Sequence, residues 1–341
     1  MTPTTNRNSR LLDWWIDDPA DPGRMRWNDP DVQNLLKQIA ATSKTTDLGG
    51  TMSLNVRIEP EDLVLRIHQP FVSKPRLLAV QQLRMACVKH GVVVPVPSGI
   101  GESTLKRCRD RWVEFEKYIP HERLQPSVDS YHWLFHQMGR LHRILTQLDV
   151  PVPRPLVATY ATPSTLHRWH QITDSAVQGD KQAEETAQLL GVLVKRLRSQ
   201  WVSSSEIPVQ LVHGDIRLSN VCLGIDGETV FFDFGFAAQR PRIHDIAYAL
   251  AYMVLAQGGH EKLDDYPWKE IAGLVTEYES AAGSRLKPLE RTALVPYAAA
   301  VPIYQSAIAG LSNDSSHQLR QKAHFLRLSE WILENPDALM G

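Results

Sequence analysis

Leu211-Val212-His213-Gly214-Asp215-Ile216-Arg217-Leu218-Ser219-Asn220, followed by Phe231-Phe232-Asp233-Phe234-Gly235, is the stretch on which the reading of this chain turns. Each half is an apolar run that stops abruptly in acidic or amide groups, the pattern of a buried strand delivering polar side chains to a cleft. An Asp, an Asn a short loop later and a second Asp behind another strand make a set of one base and two oxygen ligands suited to Mg²⁺. Phosphoryl transfer from a nucleotide requires that set: a carboxylate to take the hydroxyl proton, and a cation to neutralise the β- and γ-phosphates. The same residues also read as turn formers, Asp215 and Asn220 in one loop and Asp233 ahead of a Gly.

The order of the two segments favours chemistry. His213-Gly214-Asp215-Ile216-Arg217-Leu218-Ser219-Asn220 has the register of the kinase catalytic loop H-R-D-x-x-x-x-N with Gly in the second position, and Asp233-Phe234-Gly235 matches its D-F-G partner. With Gly after His, the chain resembles the aminoglycoside phosphotransferase and choline kinase superfamily of small-molecule kinases, including the homoserine kinases. "LRIHQP" (65–70), "MGRLHRIL" (138–145) and "LVTEYESAAGSRLKPLERTAL" (274–294) resemble, more weakly, the family's nucleotide-binding strand, its first large-lobe helix and its C-terminal helical pair.

Composition agrees with an enzyme of this size. The chain has 341 residues, 43% hydrophobic and 22% charged, enough to bury the cores of two lobes, and its net charge of −1 offers no footprint for a nucleic acid polymer or an anionic membrane. The N-terminus has no apolar signal region and no uninterrupted apolar run reaches bilayer length, so a soluble cytoplasmic protein is expected. Cys87, Cys108 and Cys222 are too few and too scattered for a disulfide framework and read as thiols.

The expected architecture is α+β, a protein-kinase-like two-lobed fold with a small antiparallel β N-lobe and a large, mainly helical C-lobe. Residues 1–44 read as an N-terminal arm, to about residue 28, followed by a helix through Val32, Leu35, Leu36 and Ile39. Residues 45–119 read as the nucleotide-binding lobe and 120–341 as the catalytic and substrate-binding lobe. In the first lobe the spacing predicts a hairpin over Leu54–Ile58 and Leu63–His68, a helix over Arg76–Lys89, a strand over Val92–Val96 limited by Pro95 and Pro97, and a second hairpin from Ser103 to Tyr118 turning near Arg109-Asp110. Arg111 to Ile119 alternates like a half-exposed strand. Helices are expected over 128–148, 181–201, 243–257, 268–281 and 288–311.

The resemblance assigns roles residue by residue. Asp215 would orient and deprotonate the acceptor hydroxyl, Asn220 and Asp233 would hold Mg²⁺, and His213 would support the loop backbone. Asp245 would brace the catalytic loop, although an acid near a helix N-terminus is also favoured by the helix dipole. Arg217 would bind the γ-phosphate, or would be a surface cation paired with an acid. ATP or GTP would bind through Gly49, Gly50 and Ser53 in the first loop, where the Gly pair also reads as an ordinary turn, and through Arg66, which stands where the family carries Lys. No Asp or Glu occurs between Asp62 and Glu102, so the helix after that strand cannot supply the usual Glu. Gln82 or its neighbour Gln81 is expected to position Arg66 instead. The basic run Lys106, Arg107, Arg109 and Arg111 reads as a solvated hairpin face or an anion contact.

The acceptor implied by the resemblance is an aminoglycoside or other antibiotic-like compound, or a hydroxylated metabolite such as homoserine or choline. Asp264, Asp265, Glu277 and Glu279 would suit a cationic one. A protein Ser/Thr kinase is the alternative with the same base and metal, yet only nine residues, Phe236–His244, separate Asp233-Phe234-Gly235 from Asp245, too few for an activation loop. A catalytically weak nucleotide-binding scaffold is the other, and the intact base argues against it. Oligomeric state is not legible.

Overall fold

The computed structural model describes residues 24–40, 42–50, 52–99, 103–155, 159, 161–258, 262–312 and 314–340. The expected arm lies outside the described residues as far as residue 23. The chain forms two compact units, one made of the described residues of Met1–Glu122, Val150–Leu156 and Gly224–Phe231, the other of Arg123–Asp149, Val157–Leu223 and Phe232–Gly341.

In the first unit come α1 (Pro30–Ile39), β1 (Lys44–Gly49), β2 (Leu54–Glu59), β3 (Leu63–Ile67), α2 (Lys74–Lys89), β4 (Leu105–Cys108), β5 (Arg111–Lys117) and the short β6 (His121–Glu122). β1 to β5 make an antiparallel sheet in the order β1-β2-β3-β5-β4. Strict alternation puts Leu54, Val56, Ile58, Leu65, Ile67, Val113 and Phe115 on one face, where Val32, Leu35 and Leu36 of α1 close a core. Asp29 caps α1 by accepting from the Asp31 N–H, and Pro30 opens it. The opposite face carries Arg66, Glu114 and Glu116 and meets α2, which presents Gln81 and Arg84 among its buried residues.

Most predicted elements are present with ends moved by a few residues. Two expectations fail for physical reasons. Residues 92–97 form only the isolated bridges Val93–Val230 and Pro97–Glu116, because Pro95 and Pro97 have no N–H to give a ladder. β5 is not half-exposed: Glu114 and Glu116 are buried, since α2 covers the face that their polarity assigns to solvent. The basic hairpin is a surface feature held internally, with Arg109 paired to Asp29 and Asp31, and Arg107 over the Trp112 ring.

The second unit contains α3 (Val128–Leu145), α4 (Pro163–Ala176), α5 (Lys181–Gln200), β7 (Val209–Val212) and most of β8 (Val221–Gly224). After β9 (Thr229–Phe231) come β10 (Ala238–Pro241), α6 (Ile243–Ala256), α7 (Glu270–Ala282), α8 (Pro288–Ala307), α9 (Ser315–Gln321), α10 (Ala323–Glu334) and α11 (Asp337–Met340). β10 pairs antiparallel with β7, which brings the segment after Asp233 back beside the strand leading to His213. β10 and α4 have no counterpart in the sequence reading, α4 because its face mixes Thr, His and Gln with few apolar residues. Pro288–Leu311 is long and apolar enough to cross a bilayer, but 89% of its apolar window is buried inside the protein, so it reads as a core helix.

Candidate active site

β7 ends at Val212, His213 follows it, and Gly214 then takes a φ of +85°. A Cβ at this position would run into the Phe236 carbonyl, so Gly is required by both its backbone angle and the close approach of the next segment. His213 is fully buried and acts through its ring. Nδ1 accepts the Asp215 N–H at 3.2 Å, which leaves Nε2 to donate to the Phe232 carbonyl at 2.7 Å. The ring also lies 4.5 Å from that of Phe234. The histidine therefore ties the Asp215 loop to the Asp233 loop, as a support rather than a reacting group.

Asp245, at the start of α6, is the second brace. Its Oδ2 accepts the His213 N–H at 3.0 Å and its Oδ1 the Gly214 N–H at 2.9 Å. His142 of α3 approaches Oδ2 at 3.1 Å and His244 approaches Oδ1 at 3.2 Å. Burial by itself would raise the pKa of this carboxyl, but the bonds and charges of His142 and His244 outweigh it and hold it well below the usual aspartate value. His142 passes the contact on to the Tyr278 hydroxyl at 2.9 Å.

Held by this frame, Asp215 is 2% exposed. The Asn220 amide nitrogen donates to its carbonyl at 2.9 Å and its Oδ2 at 2.8 Å. Arg217 lies against the same carboxylate, Nε 3.2 Å from Oδ1, with its guanidinium 5.7 Å from the centre of the Tyr252 ring. Oδ1 is buried and accepts no hydrogen bond among the described residues. Burial raises the Asp215 pKa; the Arg217 charge opposes the shift and the Asp233 charge adds to it. Asp233 sits at φ +58°, ψ +60°, a left-handed conformation that is strained for a side chain with a Cβ and that recurs at functional sites. The Phe232 N–H to Asn220 carbonyl bond, 2.8 Å, fixes its approach to the loop.

Asn220 and Asp233 suit Mg²⁺ as donors. The amide nitrogen of Asn220 is committed to Asp215, so the oxygen is what its side chain has left to offer a cation. The described residues contain no group of three or more His, Cys, Asp or Glu that would hold a metal without substrate. Mg²⁺ takes one or two protein oxygens together with phosphates and water, so this pair fits it.

In the first unit, Gly49 (φ +82°), the last residue of β1, and Gly50 (φ +118°) lead into the connection to β2. Asp47 Oδ1 accepts the Gly49 N–H at 2.8 Å and Asn55 donates to the Gly49 carbonyl at 2.9 Å; Ser53 is buried beside them and Thr51 lies outside the described residues. Arg66 lies on β3 directly opposite Glu114. Gln82, expected beside Arg66, is exposed on the far side of α2. Gln81 is the buried one, and it engages other partners: it donates to Glu114 Oε1 at 2.9 Å and accepts from Thr104 Oγ1 at 2.9 Å. The sequence reading missed Glu114, Glu116 and Arg84. The one available signal was the period-two placement of both glutamates on the face that carries Arg66.

Three of the four acids expected to meet a cationic acceptor have partners within the chain. Asp264 accepts from Trp331 Nε1, Glu277 lies 3.5 Å from His136, and Glu279 takes Arg291 and the Leu286 N–H; Asp265 is exposed.

Comparison with known proteins agrees with the geometry. The model of the phosphotransferase enzyme family matches residues 45–270. No curated protein sequence matches the chain. Among solved structures, the microcompartment-associated aminopropanol kinase is 17% identical, with 92% of this chain and 99% of that chain covered and a TM-score of 0.71. A choline/ethanolamine kinase family protein from Mesorhizobium loti is 15% identical, with 91% and 100% covered and a TM-score of 0.56. The GDP complex of aminoglycoside 2'-phosphotransferase-IIIa is 16% identical, with 89% and 99% covered and a TM-score of 0.59. At these identities the likeness speaks to fold, and the expected α+β, protein-kinase-like fold is the one observed.

Proposed function

We propose, for a chain that belongs to the phosphotransferase enzyme family, that it moves the γ-phosphoryl group of ATP or GTP to a hydroxyl of a small molecule with Asp215 as general base. Phosphoryl transfer to a small-molecule hydroxyl comes with the family; the nucleotide, the metal and the residue roles are the reading offered here. The observation that carries it is the Asp215 carboxylate, buried, fixed through Oδ2 by Asn220, with Oδ1 accepting no hydrogen bond among the described residues and the Asp233 charge close by. A carboxylate so placed takes the proton of an incoming hydroxyl, and its raised pKa makes it a stronger base than a solvated aspartate. Asn220 and Asp233 would hold Mg²⁺, which when bound neutralises charge on the β- and γ-phosphates. The Arg217 charge favours the ionised form of Asp215 against its burial, and Arg217 is taken to bind the γ-phosphate.

Gly49, Gly50 and Ser53 supply a loop whose small residues let the backbone come close to phosphate oxygens, the Gly49 N–H itself being taken by Asp47, and Arg66 supplies the cation on the neighbouring strand. The acceptor is taken to be an aminoglycoside or another antibiotic-like compound, or a hydroxylated metabolite such as homoserine, choline or an amino alcohol; the similar structures are named for aminopropanol, choline or ethanolamine, and aminoglycosides. The segment between Asp233 and Asp245 is filled by a turn and β10, which favours a small-molecule over a protein acceptor. The test is nucleotide consumption with Mg²⁺ across a panel of these compounds, with mass detection of a product heavier by one phosphoryl group. Consumption without any phosphorylated product would reject the reading.

A further inference from the structure

The face of the first unit's sheet that meets α2 carries an arrangement of charge unlike the usual strand Lys and helix Glu. α2 brings a cation, Arg84, and β5 brings two carboxylates, Glu114 and Glu116, all three buried. Arg66 pairs in register with Glu114, and Val64 with Glu116, so Arg66, Glu114 and Glu116 project from the same face. Diagonal neighbours across an antiparallel pair lie about 7–8 Å apart, within reach of an Arg and a Glu side chain.

The two carboxylates have different partners. Glu114 Oε1 accepts from Arg84 Nη2 and from Gln81, and Oε2 faces His68 Nε2 at 3.2 Å. Glu116 is engaged by Arg84 Nη1 through Oε2. One guanidinium therefore serves two buried carboxylates, which leaves an excess of negative charge where water cannot screen it. Arg66 is the second cation on this face. Consistent with that, burial and the Glu114 charge keep the Glu116 pKa raised, while the Arg84 and Arg66 charges oppose them; Glu114, although buried, is held low by Arg84 and His68.

We propose that Glu116 is the residue that positions Arg66 for the nucleotide phosphates, so that the carboxylate partner of the strand cation has moved from the helix to the neighbouring strand. Gln81 and His68 add to Arg84 at Glu114, whereas Glu116 shares Arg84 and has Arg66 as the further cation on its face. Glu116 is a positioning residue; it acts through Arg66. The inference rests on the function proposed above.

The test is a double-mutant cycle on the Kd of a non-hydrolysable Mg-nucleotide, measured by calorimetry, for wild type, Arg66→Ala, Glu116→Gln and the double variant, with Glu114→Gln as control. Glu116→Gln and Glu114→Gln each remove one carboxylate from Arg84, so a loss shared by both reports packing. The expected result is that Glu116→Gln weakens nucleotide binding about five-fold or more in the Arg66 protein and has no effect in the Arg66→Ala background, a coupling in the range for contacting residues. Glu114→Gln is expected to act equally in both backgrounds. In turnover, the Glu116 variant should raise KM for nucleotide and leave KM for the acceptor unchanged. If Glu116→Gln does not fold, Glu116→Asp, which keeps the charge and shortens the reach, should show the same dependence on Arg66. Equal effects of the Glu116 variant in both backgrounds would overturn the inference alone. A wild-type protein that binds no Mg-nucleotide would overturn it together with the proposed function.

Discussion

Asn220 reaches Asp215 with a single amide nitrogen, donating to its carbonyl at 2.9 Å and to its Oδ2 at 2.8 Å, and so links a proposed metal ligand to the proposed base. Replacing that donor by a carboxylate would set two negative charges against each other. Asn220→Asp should therefore raise the already raised Asp215 pKa further. Since the base works only when ionised, the acid limb of the kcat/KM profile should move to higher pH and neutral-pH activity should fall. A pH profile of both proteins checks this; an unmoved acid limb would detach Asn220 from the base.

The Asp245 carboxylate carries two backbone N–H groups and faces two imidazoles in a site with no exposure. Asp245→Asn keeps the shape and loses the charge, and breaking a buried charged set of this kind costs on the order of 3–5 kcal/mol. The folded pKa lies below the ordinary aspartate value of 3.8. The carboxylate therefore contributes its full stability above that value, and the contribution is lost as pH falls through the folded pKa. Urea unfolding at neutral pH should show the loss, and the gap between wild type and variant should narrow only under strong acid.

Gly214→Ala should damage the loop without touching any proposed catalytic group. At φ +85°, with the Phe236 carbonyl in the way, a methyl group strains the backbone by about 1–3 kcal/mol or pushes the Asp233 segment aside. The expected outcome is a lowered Tm together with a fall in kcat. A variant with unchanged Tm and kcat would mean that the two segments are not held this closely.

How much of this was legible in the sequence depended on the kind of interaction. Leu54, Val56, Ile58 and Leu65 announced a sheet face through their alternation, and the 211–235 stretch announced the catalytic loops, because both are local patterns. Asp245 was legible only as a position, since its partners His142 and Tyr278 come from helices remote in sequence. Glu114 and Glu116 were read as solvent-facing because alternation reports which side chains share a face and not what covers it. Their cover is Arg84, whose stripe on α2 includes Gln81 and so lacks the apolar signature of a buried face. The choice between Gln81 and Gln82 is open in the sequence for the same reason: helix phase near a polar stripe gives no apolar reference.

Asp233→Ala removes the one carboxylate proposed to contact Mg²⁺. Nucleotide binding in the variant should lose its Mg²⁺ dependence, while binding of metal-free nucleotide should change little, because a hard cation with few protein ligands depends strongly on each. Titration with a non-hydrolysable nucleotide, with and without Mg²⁺, measures both. Unaltered metal dependence would remove Asp233 from the site.

Asp215 is proposed to take the proton of the acceptor hydroxyl. The most direct test of this role is single-turnover phosphoryl transfer to an acceptor identified by the panel, with wild type and Asp215→Asn compared at equal nucleotide saturation and with Mg-nucleotide Kd measured alongside. The transfer rate of Asp215→Asn should be lower by ~10²–10⁴-fold with Kd for the nucleotide nearly unchanged. Wild-type transfer by Asp215→Asn would contradict the role.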